Sequence, residues 1–210
     1  MSALFVENLR FLDTTLRDGE QTPGVSLNPD QKFEIANKLA DIGIDVIEVG
    51  SAAASEGERD AIKLISGAGL RAEICTYVRA LHQDIDLAAD YGADSVHLVV
   101  PVSDLHIVKK LRKSREQVAA MAYDAVEYAK SRGLIVELSG EDASRADQVF
   151  LQEIFSEGVK RGADRLCFCD TVGLLTPEKV NAWIPPLAQI APLSIHCHDD
   201  LGYALTNTMA

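Results

Sequence analysis

Nine residues near one end of the chain, Asp13-Thr14-Thr15-Leu16-Arg17-Asp18-Gly19-Glu20-Gln21, gather a guanidinium, carboxylates and a glycine directly after the apolar pair Phe11-Leu12. A turn needs no such density. A site that holds a metal and polarises a carbonyl oxygen uses all of it. Towards the other end stands His196-Cys197-His198-Asp199-Asp200. Residues i and i+2 of a strand face one side, so the imidazoles of His196 and His198 converge as metal ligands do. A pair of hydrogen-bonded structural histidines is the alternative. Asp18 is the natural third, hard ligand. Arg17 beside it is either an electrophile for an oxygen at that centre or a salt-bridge partner of Asp13 or Glu20. A guanidinium suits the first role because it stays charged and offers a planar fork of donors. Mixed histidine and carboxylate ligation is compatible with Mn²⁺, Zn²⁺ or Mg²⁺.

Other polar groups fall at the expected ends of strands. Ser139-Gly140-Glu141-Asp142 follows one of them; Glu141 is either a base or orienting group, or an acid at a helix N-terminus. In Asp170-Thr171-Val172-Gly173, Thr171 either donates to a substrate carboxylate or closes a turn. Arg79 ends another strand. His97 lies within a strand, where a satisfied core histidine is at least as good a reading. His106 and the basic run Lys109-Lys110-Leu111-Arg112-Lys113 are expected in a loop, either receiving an anionic substrate or simply solvated. His82 is expected at the surface.

The elements that must position these groups repeat one unit. Strands are expected at 10–14, 44–49, 71–76, 94–100, 134–138, 164–169 and 193–196. Helices are expected at 29–42, 56–66, 82–91, 114–132, 146–161 and 176–190. Asn28 before Pro29 and Ser114 are N-caps, and Gly43, Gly92, Gly133 and Gly162 stop helices. The strands read as near-continuous apolar runs, as parallel strands buried on both faces do. Strict βα alternation allows a doubly wound sheet or a (β/α)8 barrel. Polar residues at the C-terminal end of nearly every strand favour the barrel, in which all strand ends meet at one mouth. No G-x-G-x-x-G follows the first strand, against a dinucleotide fold. A barrel has eight strands in ~250 residues. The 210-residue chain is therefore expected to be a single incomplete domain, 1–210, truncated after about seven strands inside its seventh helix.

Composition narrows the partners. A net charge of −12 argues against nucleic acid and anionic membranes, and the 47% hydrophobic content suffices for one core. No apolar run is long enough to span a bilayer, and Met1-Ser2-Ala3-Leu4 lacks the form of a leader. Cys167 and Cys169 lack the C-x-x-C spacing of a redox or zinc site. With Cys75 and Cys197 they read as small buried residues in a reducing, cytoplasmic protein.

The residues from Phe11 to Gln21 resemble the opening motif of the DRE-TIM metallolyase superfamily. Within it they are similar to the acyl-CoA condensing synthases: isopropylmalate, citramalate and homocitrate synthases. Glu137-Leu138-Ser139-Gly140-Glu141-Asp142-Ala143-Ser144-Arg145, Asp170-Thr171-Val172-Gly173 and His196-Cys197-His198-Asp199-Asp200-Leu201-Gly202 resemble the later motifs. The resemblance implies a TIM (β/α)8 barrel with one divalent metal held by Asp18, His196 and His198. It implies Arg17 and Glu141 as catalytic residues, and Thr171, Ser139, His97 and Arg79 around the substrate. The implied reaction is a Claisen-type condensation of acetyl-CoA with a 2-oxo acid, releasing CoA, in branched-chain amino-acid biosynthesis. The implied assembly is a homodimer. Gly50-Ser51-Ala52, Thr76-Tyr77-Val78-Arg79-Ala80 and the run from His97 to Ser103 look most like the archaeal-type citramalate synthases, which favours pyruvate over 2-oxoisovalerate. Asp199 stands where the family usually carries Asn. The eighth strand with its glycine- and asparagine-bearing motif, and the C-terminal segments, are not matched in this sequence.

Overall fold

The computed structural model of the chain describes residues 9–210; the Met1-Ser2-Ala3-Leu4 segment lies outside them. Seven strands form one parallel sheet in sequential order: β1 (Leu12–Asp13), β2 (Val46–Glu48), β3 (Glu73–Arg79), β4 (Ser95–Pro101), β5 (Ile135–Glu141), β6 (Arg165–Asp170) and β7 (Leu193–Cys197). Helices Pro29–Asp41, Glu56–Ser66, His82–Asp90, Arg115–Ser131, Gln148–Lys160 and Pro177–Ala188 connect successive strands, and a short helix, Ala204–Met209, follows β7. Among the described residues no helix is long and apolar enough to cross a membrane.

The helix boundaries follow their signals closely. Asn28 and Ser114 both build capping boxes, with Gln31 and Gln117 answering in return. Every strand but β7 starts one or two residues later than periodicity suggests, and before β2, β4 and β6 a recurring Gly-x-Asp corner intervenes. Gly43 and Gly92 stop their helices at φ 91° and 85°, values that a side chain resists. Two residues on, the aspartate fixes the neighbouring strand. Asp45 Oδ2 accepts from the Phe11 amide at 2.8 Å, Asp94 Oδ2 from Ile74 at 2.8 Å and Asp164 Oδ2 from Val136 at 2.7 Å. The Asp94 and Asp164 amides donate back to the Ile74 and Val136 carbonyls, so each corner clamps the register from both directions.

The sheet is curled. Two strands separate β3 from β6, a span of about 14 Å in a flat sheet, yet Arg165 Nη2 reaches Glu73 Oε1 at 2.6 Å. The strands alternate more sharply than near-continuous apolar runs. Val96, Leu98, Val136, Leu138, Leu166 and Phe168 face the helices and form the larger core. A smaller core of Leu16, Ile47, Val49, Ile62 and Ile65 lies under the first two helices. The inner face is polar: Glu73, Arg165, Glu137 and Ser194 make a hydrogen-bonded floor, tolerated because each charge meets an opposite one.

Two expectations are corrected. The segment around His106 is not a loop: a helical turn, Asp104–His106, runs into a π-helix, Ile107–Leu111, which ends at Arg112 with φ 55°. Ser103 Oγ caps it by accepting from the His106 amide at 3.2 Å, and buried Ile107 anchors it. The second concerns the cysteines: Cys75, Cys167 and Cys169 are buried, but Cys197 is only partly so.

Candidate metal centre and active site

Asp18 leaves the turn after β1, and His196 and His198 leave β7, at opposite edges of the sheet. The curl brings them together. Asp18 Oδ2 lies 3.1 Å from His196 Nε2 and 3.5 Å from His198 Nε2. The two rings stand 5.0 Å apart at 49°. One carboxylate oxygen and two imidazole nitrogens thus converge within 4.8 Å on a partly exposed point at the mouth. That donor set fits a divalent metal and leaves its outer face accessible to a further ligand. The hydrogen bond with His196 does most to pull the Asp18 pKa down to about 2, with help from Arg17 and against partial burial. Asp18 therefore stays ionised, as ligation requires.

Arg17 is held from below. Its Nε donates to Glu48 Oε2 at 2.8 Å, Nη1 lies 3.2 Å from Asp18, and the guanidinium packs 5.4 Å from the centre of the Tyr77 ring. Glu48 Oε1 lies 2.8 Å from His97 Nδ1. Burial works against charge on both Glu48 and His97. Their mutual attraction, with Arg17 aiding Glu48 and Cys167 aiding His97, outweighs it: the Glu48 pKa falls and that of His97 stands well above the usual imidazole value. Arg17 also borders a cleft of about 470 Å³ with Glu20, Gln21, Ser51, Tyr77 and Arg79. Asp18 and His198 border a neighbouring cleft of about 480 Å³.

The other residues singled out in the sequence lie around this centre in different states. Arg79 stands at the rim, with its side chain 59% exposed and held bidentately by Asp84. His97 lies below Arg17, buried. Ser139 is buried with its hydroxyl unpartnered. Thr171 Oγ1 accepts from the Asp142 amide at 2.8 Å, tying the loops after β5 and β6 together. Glu141 Oε1 is 2.6 Å from His106 Nδ1, and Lys110 donates to both Glu141 oxygens. Asp199 is turned to the start of the helix Ala204–Met209, accepting from the Ala204 amide at 2.9 Å.

Two residues of this neighbourhood were missed as site residues. Glu48 stands at the end of β2 among many polar strand ends, and nothing in its spacing sets it apart. Lys32 gave no signal, because a lysine on a helix is normally solvated. Here it is 1% exposed, donating to the Leu16 carbonyl at 3.1 Å and pairing with Glu20 at 2.5 Å and with Glu58. It ties the turn carrying Arg17 and Asp18 to the loop after β2.

Residues 8–210 match the HMGL-like family. The chain belongs to that family. Among its HMGL-like relatives, a protein of Methanoculleus marisnigri provisionally named (R)-citramalate synthase CimA is 75% identical over all 210 residues, and the (R)-citramalate synthase CimA of Methanocaldococcus jannaschii is 58% identical over 95% of the chain. The chain spans 42% and 41% of the lengths of these two relatives. Among solved structures, an HMG-CoA lyase from Brucella melitensis superposes with a TM-score of 0.83 at 20% identity, covering 97% of this chain and 76% of that one. A second HMG-CoA lyase, from Acinetobacter baumannii and in complex with coenzyme A and 3-methylmalate, gives a TM-score of 0.82 at 20% identity, covering 100% and 72%. These likenesses establish the fold, a TIM barrel represented here by seven of its strands.

Proposed function

We propose that the mouth of this barrel carries out a Claisen-type condensation of acetyl-CoA with a 2-oxo acid, with pyruvate as the acceptor and citramalate and CoA as products. The observation that carries the proposal is the convergence of Asp18, His196 and His198 beside an arginine fixed by Glu48. The relatives' names agree with it. The activity belongs to the longer protein, of which this chain supplies the barrel portion, and branched-chain amino-acid biosynthesis is its proposed setting.

Asp18, His196 and His198 would hold one divalent metal, which supplies Lewis-acid polarisation and a template for a 2-oxo acid. Arg17 faces the oxygen on which charge develops when the keto carbon is attacked, and its pairing with Glu48 aims it in advance. Thr171 and Ser139 contribute hydroxyls toward the substrate, and Arg79 a cation at the rim. His97 acts from below, through Glu48. Glu141, held by His106 and Lys110, belongs to the proton-transfer network, since a proton must leave the acetyl methyl group before the new carbon–carbon bond forms. Hydrolysis of the thioester then releases CoA.

2-Isopropylmalate synthesis from 2-oxoisovalerate is the runner-up reading, since it differs only in the acceptor's side chain. Incubating the longer protein and divalent metal with acetyl-CoA and, in turn, pyruvate, 2-oxoisovalerate and 2-oxoglutarate separates the two. Release of CoA is expected with pyruvate foremost. No release with any acceptor would refute the condensation; release foremost with 2-oxoisovalerate would refute the choice of acceptor.

A further inference from the structure

Beneath Arg17 the barrel interior holds a second group of ligating atoms, apart from Asp18, His196 and His198. His97 on β4 and Cys167 and Cys169 on β6 bring one ring nitrogen and two sulfurs within 4.8 Å of one another, and all three residues are buried. The cysteines are two apart on one strand and so face the same side. Their sulfurs are 3.6 Å apart. A zinc ion with bonds of about 2.3 Å to two sulfurs at a near-tetrahedral angle sets them about 3.8 Å apart. Neighbouring thiols rest at a similar separation, so the spacing permits a cation without requiring one.

The histidine adds the decisive observation. Its Nδ1 is taken by Glu48, whereas Nε2 is buried and has no hydrogen-bond partner. A buried polar atom left unpaired costs about 1–3 kcal/mol, so such atoms call for an explanation. Ser139 pairs in register with Cys167 on the adjacent strand, and its hydroxyl is also buried and unpartnered. Without a metal, Glu48 favours the protonated ring, so an ion bound at Nε2 displaces that proton, and the carboxylate on the far nitrogen then supports the imidazole as a ligand.

We propose that His97 Nε2, Cys167 Sγ and Cys169 Sγ form a second, buried site for a thiophilic divalent ion of the zinc class, distinct from the centre at Asp18, His196 and His198. Charge selects the valence: a divalent ion neutralises two thiolates, whereas a monovalent ion leaves net negative charge in a buried layer. Softness separates the two sites, since two sulfurs and a nitrogen suit zinc and its thiophilic kin, while the outer set with its carboxylate also accepts harder ions. An ion here fixes the His97 ring and, through Glu48, the aim of Arg17. It acts as a positioning device rather than as a participant in bond making.

Cobalt(II) distinguishes the sites by its spectrum. The protein is stripped of metal with a chelator, its thiols are kept reduced and counted, and cobalt(II) is added. The expected result is a thiolate-to-cobalt charge-transfer band in the near ultraviolet that persists in Asp18→Asn, which loses only cobalt bound without that band. Cys167→Ser and Cys169→Ser should abolish the band. A wild-type protein with reduced thiols and bound cobalt but no band would overturn the proposal. So would a band that vanishes in Asp18→Asn, because the sulfur contact would then belong to the outer centre and Cys197. If a serine variant fails to fold, the wild-type and Asp18→Asn spectra decide between these outcomes on their own.

Discussion

The two oxygens of the Glu48 carboxylate hold different cations, Arg17 through Oε2 and His97 through Oε1. Replacing it by glutamine keeps the shape and removes the charge that both partners need. Glu48→Gln should destabilise the fold by about 3–5 kcal/mol, the cost of stranding buried charge, measured by urea unfolding. CoA release with pyruvate should also fall about 10²-fold, because Arg17 loses its aim. His198→Ala, at a partly exposed ligand, should lower metal content sharply while circular dichroism stays unchanged; unaltered metal content would overturn the ligand assignment. Much of this centre was legible in the sequence. The H-x-H pair and the Arg17-Asp18 pair announce themselves by type and spacing. The Glu48–His97 contact does not, because β3 lies between their strands and only the curl of the sheet brings the side chains together.

Elements meet here through small residues and corner aspartates. Helix Gln148–Lys160 lies so close to β5 that a Cβ on Gly158 would sit 2.3 Å from Leu138 Cδ2. Gly158→Ala should cost about 1–3 kcal/mol by overpacking, read as a lowered thermal midpoint. Lys32→Met keeps the stem but leaves Glu20 and Glu58 without their shared cation, and should cost on the order of 3–5 kcal/mol. The helices were readable because caps and glycine stops are local signals. Strand starts were not fully readable, since a Gly-x-Asp corner serves the neighbouring strand and its role depends on pairing that no single segment encodes. The turn of Asp104–His106 and the π-helix after it were hidden by a basic run that suggested solvated loop. The capping serine and one buried isoleucine outweighed that polarity.

For the whole molecule, the polar floor governs behaviour in acid. Although partial burial opposes it, Arg165, Ser95 and Arg10 draw the Glu73 pKa from 4.5 to about 2. The folded state thus holds the proton less tightly than the unfolded chain. The stabilisation is complete above the unfolded value near 4.5 and disappears as pH falls through about 2. At neutral pH it amounts to at most about 3 kcal/mol. Urea midpoints should therefore drop between those limits in the native protein, and Glu73→Gln should flatten that part of the profile. The ligands of the outer centre come from the two edges of the sheet, so a bound divalent ion ties them together. At a hundred times its dissociation constant it should add about 2.7 kcal/mol to stability, seen as a rise in thermal midpoint that Asp18→Asn abolishes.

That placement of ligands also orders events in time. Asp18 emerges early in synthesis and His196 and His198 near the end of this stretch, so no partly made barrel can hold the ion. Metal capture by the proposed outer centre would therefore report that the seventh strand has docked, and the ion would serve as an inspector of assembly before any substrate arrives.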